Sequence, residues 1–82
     1  MLYKNYAIWY NLIMKTKFAE RLKEMRLERK MTQQELSLHT KFSQSAIARW
    51  EMGEQIPNVE VLTALAVFFN VSTDFLVGLK DS

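Results

Sequence analysis

The sequence predicts an all-α domain, five short helices preceded by an apolar arm. Its 82 residues hold two Gly and one Pro, and no Asn-Gly or Asp-Gly pair marks a hairpin turn. Apolar residues recur at the three-and-four spacing of a helix instead of alternating. A residue able to cap a helix stands before four of the five runs.

The first helix, α1, is expected over 15–30, where Phe18, Leu22, Met25 and Arg29 fall on one face and charge occupies the rest. Thr32 and Glu35 have capping-box spacing, in which hydroxyl and carboxylate each satisfy a backbone N–H, so α2 runs from Gln33 to about Thr40. Ser43 caps again almost at once. The next helix, α3 over 44–52, sets Ile47 and Trp50 on one face before Gly53 offers a left-handed stop. Pro57 and Asn58 open α4, whose stripe is Val59, Leu62, Leu65, Ala66 and Phe69, with Asn70 suited to the stop. Ser72 caps α5, which ends at Gly78. Ahead of all this, Leu2, Tyr3, Tyr6, Trp9, Tyr10 and Ile13 share one sector of a helical wheel. The arm therefore reads as an amphipathic helix, with a strand as the alternative because 6–13 is rich in strand-forming residues. The expected divisions are an arm over 1–14, a body over 15–79 and a tail over 80–82.

Composition narrows the function. At 49% hydrophobic and 24% charged residues the chain can build one small core and not two. Without cysteine it has no disulfides, thiolate metal ligands or thiol nucleophile, and a cytoplasmic address is expected. The longest apolar run, Ala64 to Phe69, is far below the roughly 18 residues that span a bilayer. Met1 to Met14 contains Asn5 and Asn11 and no small-residue cleavage site, so a cleaved leader is not expected. His39 is the single histidine and has no second ligand near it in sequence, so no metal site and no His-based triad is expected. Lacking a Gly-rich phosphate loop or a paired-carboxylate motif, the chain is expected to carry no cofactor and no enzymatic activity.

Charge is distributed unevenly. Residues 1–30 hold eight Lys or Arg against three Glu, 31–53 balance, and 54–82 hold one Lys against four acids. A basic flank suits phosphate. Two helices joined by a three- or four-residue turn are the minimal unit that inserts one helix into the DNA major groove while its neighbour braces on the backbone, and α2 and α3 have that spacing. On the wheel, Ser45, Ala48, Arg49 and Met52 face away from Ile47 and Trp50, with Gln44 at the leading tip. Amide and guanidinium groups pair with adenine and guanine edges, and small residues permit close approach. Gln44 and Arg49 are the expected base readers.

The stretch Phe18 to Leu79 resembles the phage-repressor and Cro-like helix-turn-helix family. The resemblance rests on Thr32-Gln33-Gln34-Glu35-Leu36, on Ser43-Gln44-Ser45-Ala46-Ile47-Ala48-Arg49-Trp50-Glu51 followed by Gly53, on Pro57, and on Val71-Ser72-Thr73-Asp74-Phe75-Leu76. It implies a five-helix DNA-binding domain that acts as a homodimer on a two-fold site in double-stranded DNA. By the same resemblance Gln44, Ser45 and Arg49 touch bases. Gln33 binds a phosphate, Ser43 and Gln55 lie along the backbone with Glu54, and Arg26 pairs with Glu51 as a structural ion pair. Wheel arithmetic agrees on the last point, since both residues stand at the edge of their core stripes.

Lys30 and Lys41 depart from the pattern by occupying positions where the family usually has Gly, so positive φ is expected at both. Lys41 is also a candidate phosphate contact. Leu27 and Leu38 are apolar where the family is polar. Together with Tyr6, Trp9, Tyr10 and Ile13 they form the expected arm-packing set, which closes within one subunit or across a dimer; the alternative is that Met14 is the true start. The function expected is sequence-specific transcriptional regulation, as a repressor on a pseudo-palindromic operator. The rival is a protein-interaction or antitoxin-like module that uses the same fold.

Overall fold

The computed structural model describes residues 6–81, so Leu2 and Tyr3 of the expected arm stripe lie outside the described residues. Every regular element among the described residues is helical. The body comprises α1 (Lys15–Glu28), α2 (Gln33–Thr40), α3 (Gln44–Glu51), α4 (Val59–Phe69) and α5 (Thr73–Leu76).

The caps are those the sequence offers. Thr32 Oγ1 accepts from the Glu35 N–H at 3.0 Å while the Thr32 N–H donates to Glu35 Oε1 at 2.8 Å, closing the box that starts α2. Ser43, Asn58 and Ser72 accept in the same manner from the N–H groups of Ala46, Val61 and Phe75, each three residues on. The stops are left-handed, with φ of 58° at Lys30, 69° at Lys41 and 58° at Asn70. Positive φ at the two lysines is thus present without glycine. It explains why α1 stops at Glu28 and not at Lys30 as expected.

All five helices contribute to one core. Phe18, Leu22, Leu36, Ile47, Leu65 and Leu76 are fully buried, at least one from each helix. Phe42, in the turn between α2 and α3, sets its ring edge-on to Trp50 at a 5.6 Å centroid distance. Two expected core positions are not in the core. Val59, the first residue of α4, is 75% exposed. Arg29 is exposed too; following the end of α1, its guanidinium lies over the rings of Phe68 and Phe69, at 5.0 and 5.1 Å.

The described arm residues, 6–14, are helical, the first of the two alternatives. Tyr6–Ile8 is α-helical and Trp9–Met14 is a π-helical turn that runs unbroken into α1, with the Lys15 N–H donating to the Tyr10 carbonyl. The described residues extend 42 Å along the long axis against 24 and 21 Å across. Residues 6–14 thus lengthen α1 and do not fold back. Leu27 and Leu38 stay 53% and 73% exposed, so the described arm residues do not cover them within the subunit.

Midway along α1, Arg21 reaches over the Phe75 ring at 4.2 Å and donates to the Phe75 and Lys80 carbonyls. This pins the 75–80 segment to the body. Gly78 approaches so closely, at φ 88°, that a Cβ there would lie 2.8 Å from that of Lys17.

Candidate nucleic-acid interface

The geometry of α3 follows from its two faces. Ile47 and Trp50 anchor it in the core, while Gln44, Ser45 and Arg49 are exposed, and Ala48 between them is half-buried. The turn from α2 is three residues, Lys41 to Ser43. Lys41 takes the left-handed conformation and closes α2 through its N–H to the Ser37 carbonyl at 2.7 Å. This corner carries Lys41 and Ser43, both exposed, beside the first turn of α3. The N–H groups of such a turn attract anions. Ser43 uses its oxygen as acceptor to Ala46, which leaves its hydroxyl proton free to donate outward.

Behind this surface lies a buried ion pair. Arg26 Nε donates to Glu51 Oε2 at 2.7 Å and Arg26 Nη2 to Glu51 Oε1 at 2.9 Å, with the two side chains 9% and 4% exposed. The fork is completed by Arg26 Nη1 on the Met31 carbonyl at 2.7 Å. Donation of its hydrogen bonds to Glu51 raises the Arg26 pKa further above its already high ordinary value; desolvation works against this and the Coulombic attraction of Glu51 adds to it. The guanidinium therefore stays charged, and it fastens the last turn of α3 to α1 and to the start of α2.

Gln33 belongs to this cluster in a way its position in sequence does not reveal. Its Nε2 donates to Glu51 Oε1 at 3.1 Å, and the side chain is half-buried. The residue read as a phosphate ligand thus also holds the carboxylate of the pair. Only the long-range docking of α2 on α3 creates this contact. A second contact that the sequence does not reveal joins the start of α1 to the loop after α3, where Lys15 Nζ donates to the Glu54 carbonyl at 3.0 Å. Glu54 and Gln55 are exposed on that loop, and the Glu54 N–H bonds back to the Arg49 carbonyl.

The structure thus brings Gln44, Ser45 and Arg49 together on one helix, with Lys41 and Ser43 at its leading end, Gln33 held against Glu51 at its last turn and Gln55 beyond it. Leu27, Leu38 and the arm residues Tyr6, Trp9, Tyr10 and Ile13 belong to other helices. His39 is exposed, its ring 6.2 Å from that of Phe68, and no group of three metal-ligating side chains occurs among the described residues. No helix of the described residues is long and apolar enough to cross a membrane.

Comparison with known proteins converges on the same elements. The family model described as helix-turn-helix matches residues 22–76, from the middle of α1 to the end of α5. The chain is 36% identical over 64 residues to the HTH-type transcriptional activator BcrR of Enterococcus faecalis, covering 78% of this chain and 31% of that one. It is 33% identical over 60 residues to the SPbeta prophage-derived HTH-type transcriptional regulator YonR of Bacillus subtilis, covering 73% and 56%. A second Bacillus subtilis protein, the HTH-type transcriptional regulator YobD, is 28% identical over 64 residues, covering 78% and 57%. The chain therefore spans between about a third and somewhat over half of these relatives. No solved structure matches it. With its helix-turn-helix framed by α1, α4 and α5, and with the family model matching across all five helices, the chain belongs to the helix-turn-helix family of transcriptional regulators.

Proposed function

We propose that this protein is a sequence-specific DNA-binding regulator that inserts α3 into the major groove of a pseudo-palindromic operator as a homodimer and represses by occupying it. The observation that carries this reading is the exposed row Gln44, Ser45 and Arg49 on a helix whose opposite side is locked by Ile47, Trp50 and the Arg26–Glu51 fork. Gln44 and Arg49 read base edges, and Ser45 admits close approach. Gln33, Lys41, Ser43 and Gln55 grip the backbone and set register. A two-fold assembly sets the two α3 helices about 34 Å apart, one turn of DNA. A protein with this task works in the cytoplasm, where its DNA is.

Selection of bound duplexes from a random pool tests binding, half-site symmetry and spacing together. The expected product is an inverted repeat. Its affinity should fall with salt at a log–log slope of about −0.9 per phosphate neutralised. Failure to retain any duplex at low salt would favour the interaction-module reading, to which exposed Leu27 and Leu38 lend their weight. The resemblance to a relative named an activator makes the sign of regulation a separate measurement. A reporter driven by the selected site should fall in activity when the protein is expressed, and a rise would replace repression by activation.

A further inference from the structure

Nine consecutive helical residues, Tyr6 to Met14, include a single polar side chain, Asn11, and extend from the body instead of folding onto it. A helix apolar on all sides is normally buried. Here Tyr6, Ile8, Leu12 and Ile13 are 59, 56, 67 and 43% exposed. At the root of the arm opens a groove of about 260 Å³ lined mainly by Met14, Ile56, Val59, Leu62 and Val77, with exposed Asp74 beside them. The groove includes Val59, the core-type residue left 75% exposed.

We propose that the arm and this groove are one dimer surface, closed by a second copy of the chain. About a two-fold axis, each arm lies beside the arm of the other copy and covers the groove at its root. Such a surface is self-complementary, as a two-fold interface requires. Charge agrees with that occupant. Basic residues dominate 1–30, the segment that holds the arm, and four acids stand against one Lys in 54–82, the segment that supplies Val59, Leu62, Asp74 and Val77 of the groove, so the two halves of the surface carry opposite sign. Area agrees as well. At roughly 200 Å² for a fully exposed large side chain, the four arm residues and Val59 present about 600 Å² per chain and about 1,200 Å² for two, the lower bound of a stable specific interface.

The inference rests on the proposed function only in its use of a two-fold operator, and it is tested without DNA. Sedimentation equilibrium of the full chain should give twice the 9.7 kDa chain mass. Leu12→Glu and Val59→Glu, both at exposed positions, should each weaken the dimer more than about tenfold, which is 1.4 kcal/mol, while helical signal and melting of the body persist. Since the chain has no cysteine, an equal mixture of Leu12→Cys and Val59→Cys chains should yield a disulfide-linked mixed dimer on mild oxidation. A chain that stays monomeric, or a dimer indifferent to Leu12→Glu, overturns the proposal. So does a monomer that binds phosphatidylglycerol vesicles through the arm and loses them on Leu12→Glu, which would make the arm a lipid-surface element. A monomer that still selects a DNA sequence removes this inference and leaves the reading of α3 intact, whereas a dimer that retains no duplex does the reverse.

Discussion

Replacing Arg26 by Met should cost this domain a large share of its stability. The substitution leaves the Glu51 carboxylate 4% exposed with one remaining side-chain donor, Gln33 Nε2 at 3.1 Å. Stranding one member of a buried pair costs about 3–5 kcal/mol. An 82-residue domain has of the order of 4–12 kcal/mol in total at typical values per residue. Arg26→Met is therefore expected to be partly unfolded at 37 °C. Glu51→Gln should be milder, about 1.5–3 kcal/mol, because an amide oxygen still accepts one guanidinium N–H and Arg26 keeps the Met31 carbonyl. The double variant Arg26→Met with Glu51→Leu leaves no stranded charge and should recover to within about 1–2 kcal/mol of the parent. Urea unfolding followed by far-UV circular dichroism separates the three, with a common denaturant slope as the control for two-state behaviour. The sign with pH is also determined. A cation whose folded pKa is raised contributes stability that is lost only as pH rises through that value, so the raised Arg26 adds no pH slope between about 6 and 9. If the double variant were as unstable as Arg26→Met, lost packing and not a stranded carboxylate would be the cause. A single variant within about 1 kcal/mol of the parent would show that the fork does not hold α3.

Lys30→Gly and Lys41→Gly, at φ 58° and 69°, should each stabilise by about 0.5–1 kcal/mol, the relief of left-handed strain less the added freedom of the unfolded chain, read as a rise in melting temperature. Only Lys41→Gly should also reduce the steepness of the salt dependence, by about 0.9. Gln44→Ala and Arg49→Ala should each cost about 1–3 kcal/mol of discrimination between cognate and altered sites, whereas Gln33→Ala should weaken all sites alike; a changed sequence preference in Gln33→Ala alone would reverse these roles. Gly78→Ala should destabilise by about 1–3 kcal/mol, because its Cβ meets the Lys17 side chain within 2.9 Å at φ 88°, and an unchanged melting curve would contradict that close approach.

What was legible in the sequence is what local chemistry decides. The acceptors of Thr32, Ser43, Asn58 and Ser72 act on N–H groups three residues away, and the stop at Asn70 is a property of a single residue, whereas positive φ at Lys41 was implied only by the family resemblance. The separation of Gln44, Ser45 and Arg49 from Ile47 and Trp50 needs only the helical period. What was not legible depends on where helices end in space. Val59 fits the α4 stripe in angle, yet as the first residue of that helix it is 75% exposed, and Arg29 fits the α1 stripe although the helix has already stopped. Gln33 on Glu51 and Lys15 on Glu54 join segments 18 and 39 residues apart. The π-turn of the arm is also invisible to a wheel drawn at 100° per residue, because it shifts the register within Trp9–Met14.

The Ser43 hydroxyl serves inward and outward at once. Its lone pair closes the first turn of α3, and its proton remains available to an acceptor. An aspartate in its place would keep the inward bond, since carboxylates cap as well as hydroxyls, and would gain from the helix dipole. It would also replace an outward donor with a negative charge. Ser43→Asp should therefore melt no earlier than the parent while letting go of every duplex, cognate or not. If the proposed homodimer forms, such a chain, folded but mute toward DNA, would also hold the parent in mixed dimers with one working recognition helix, a dominant inhibitor made by exchanging one small side chain.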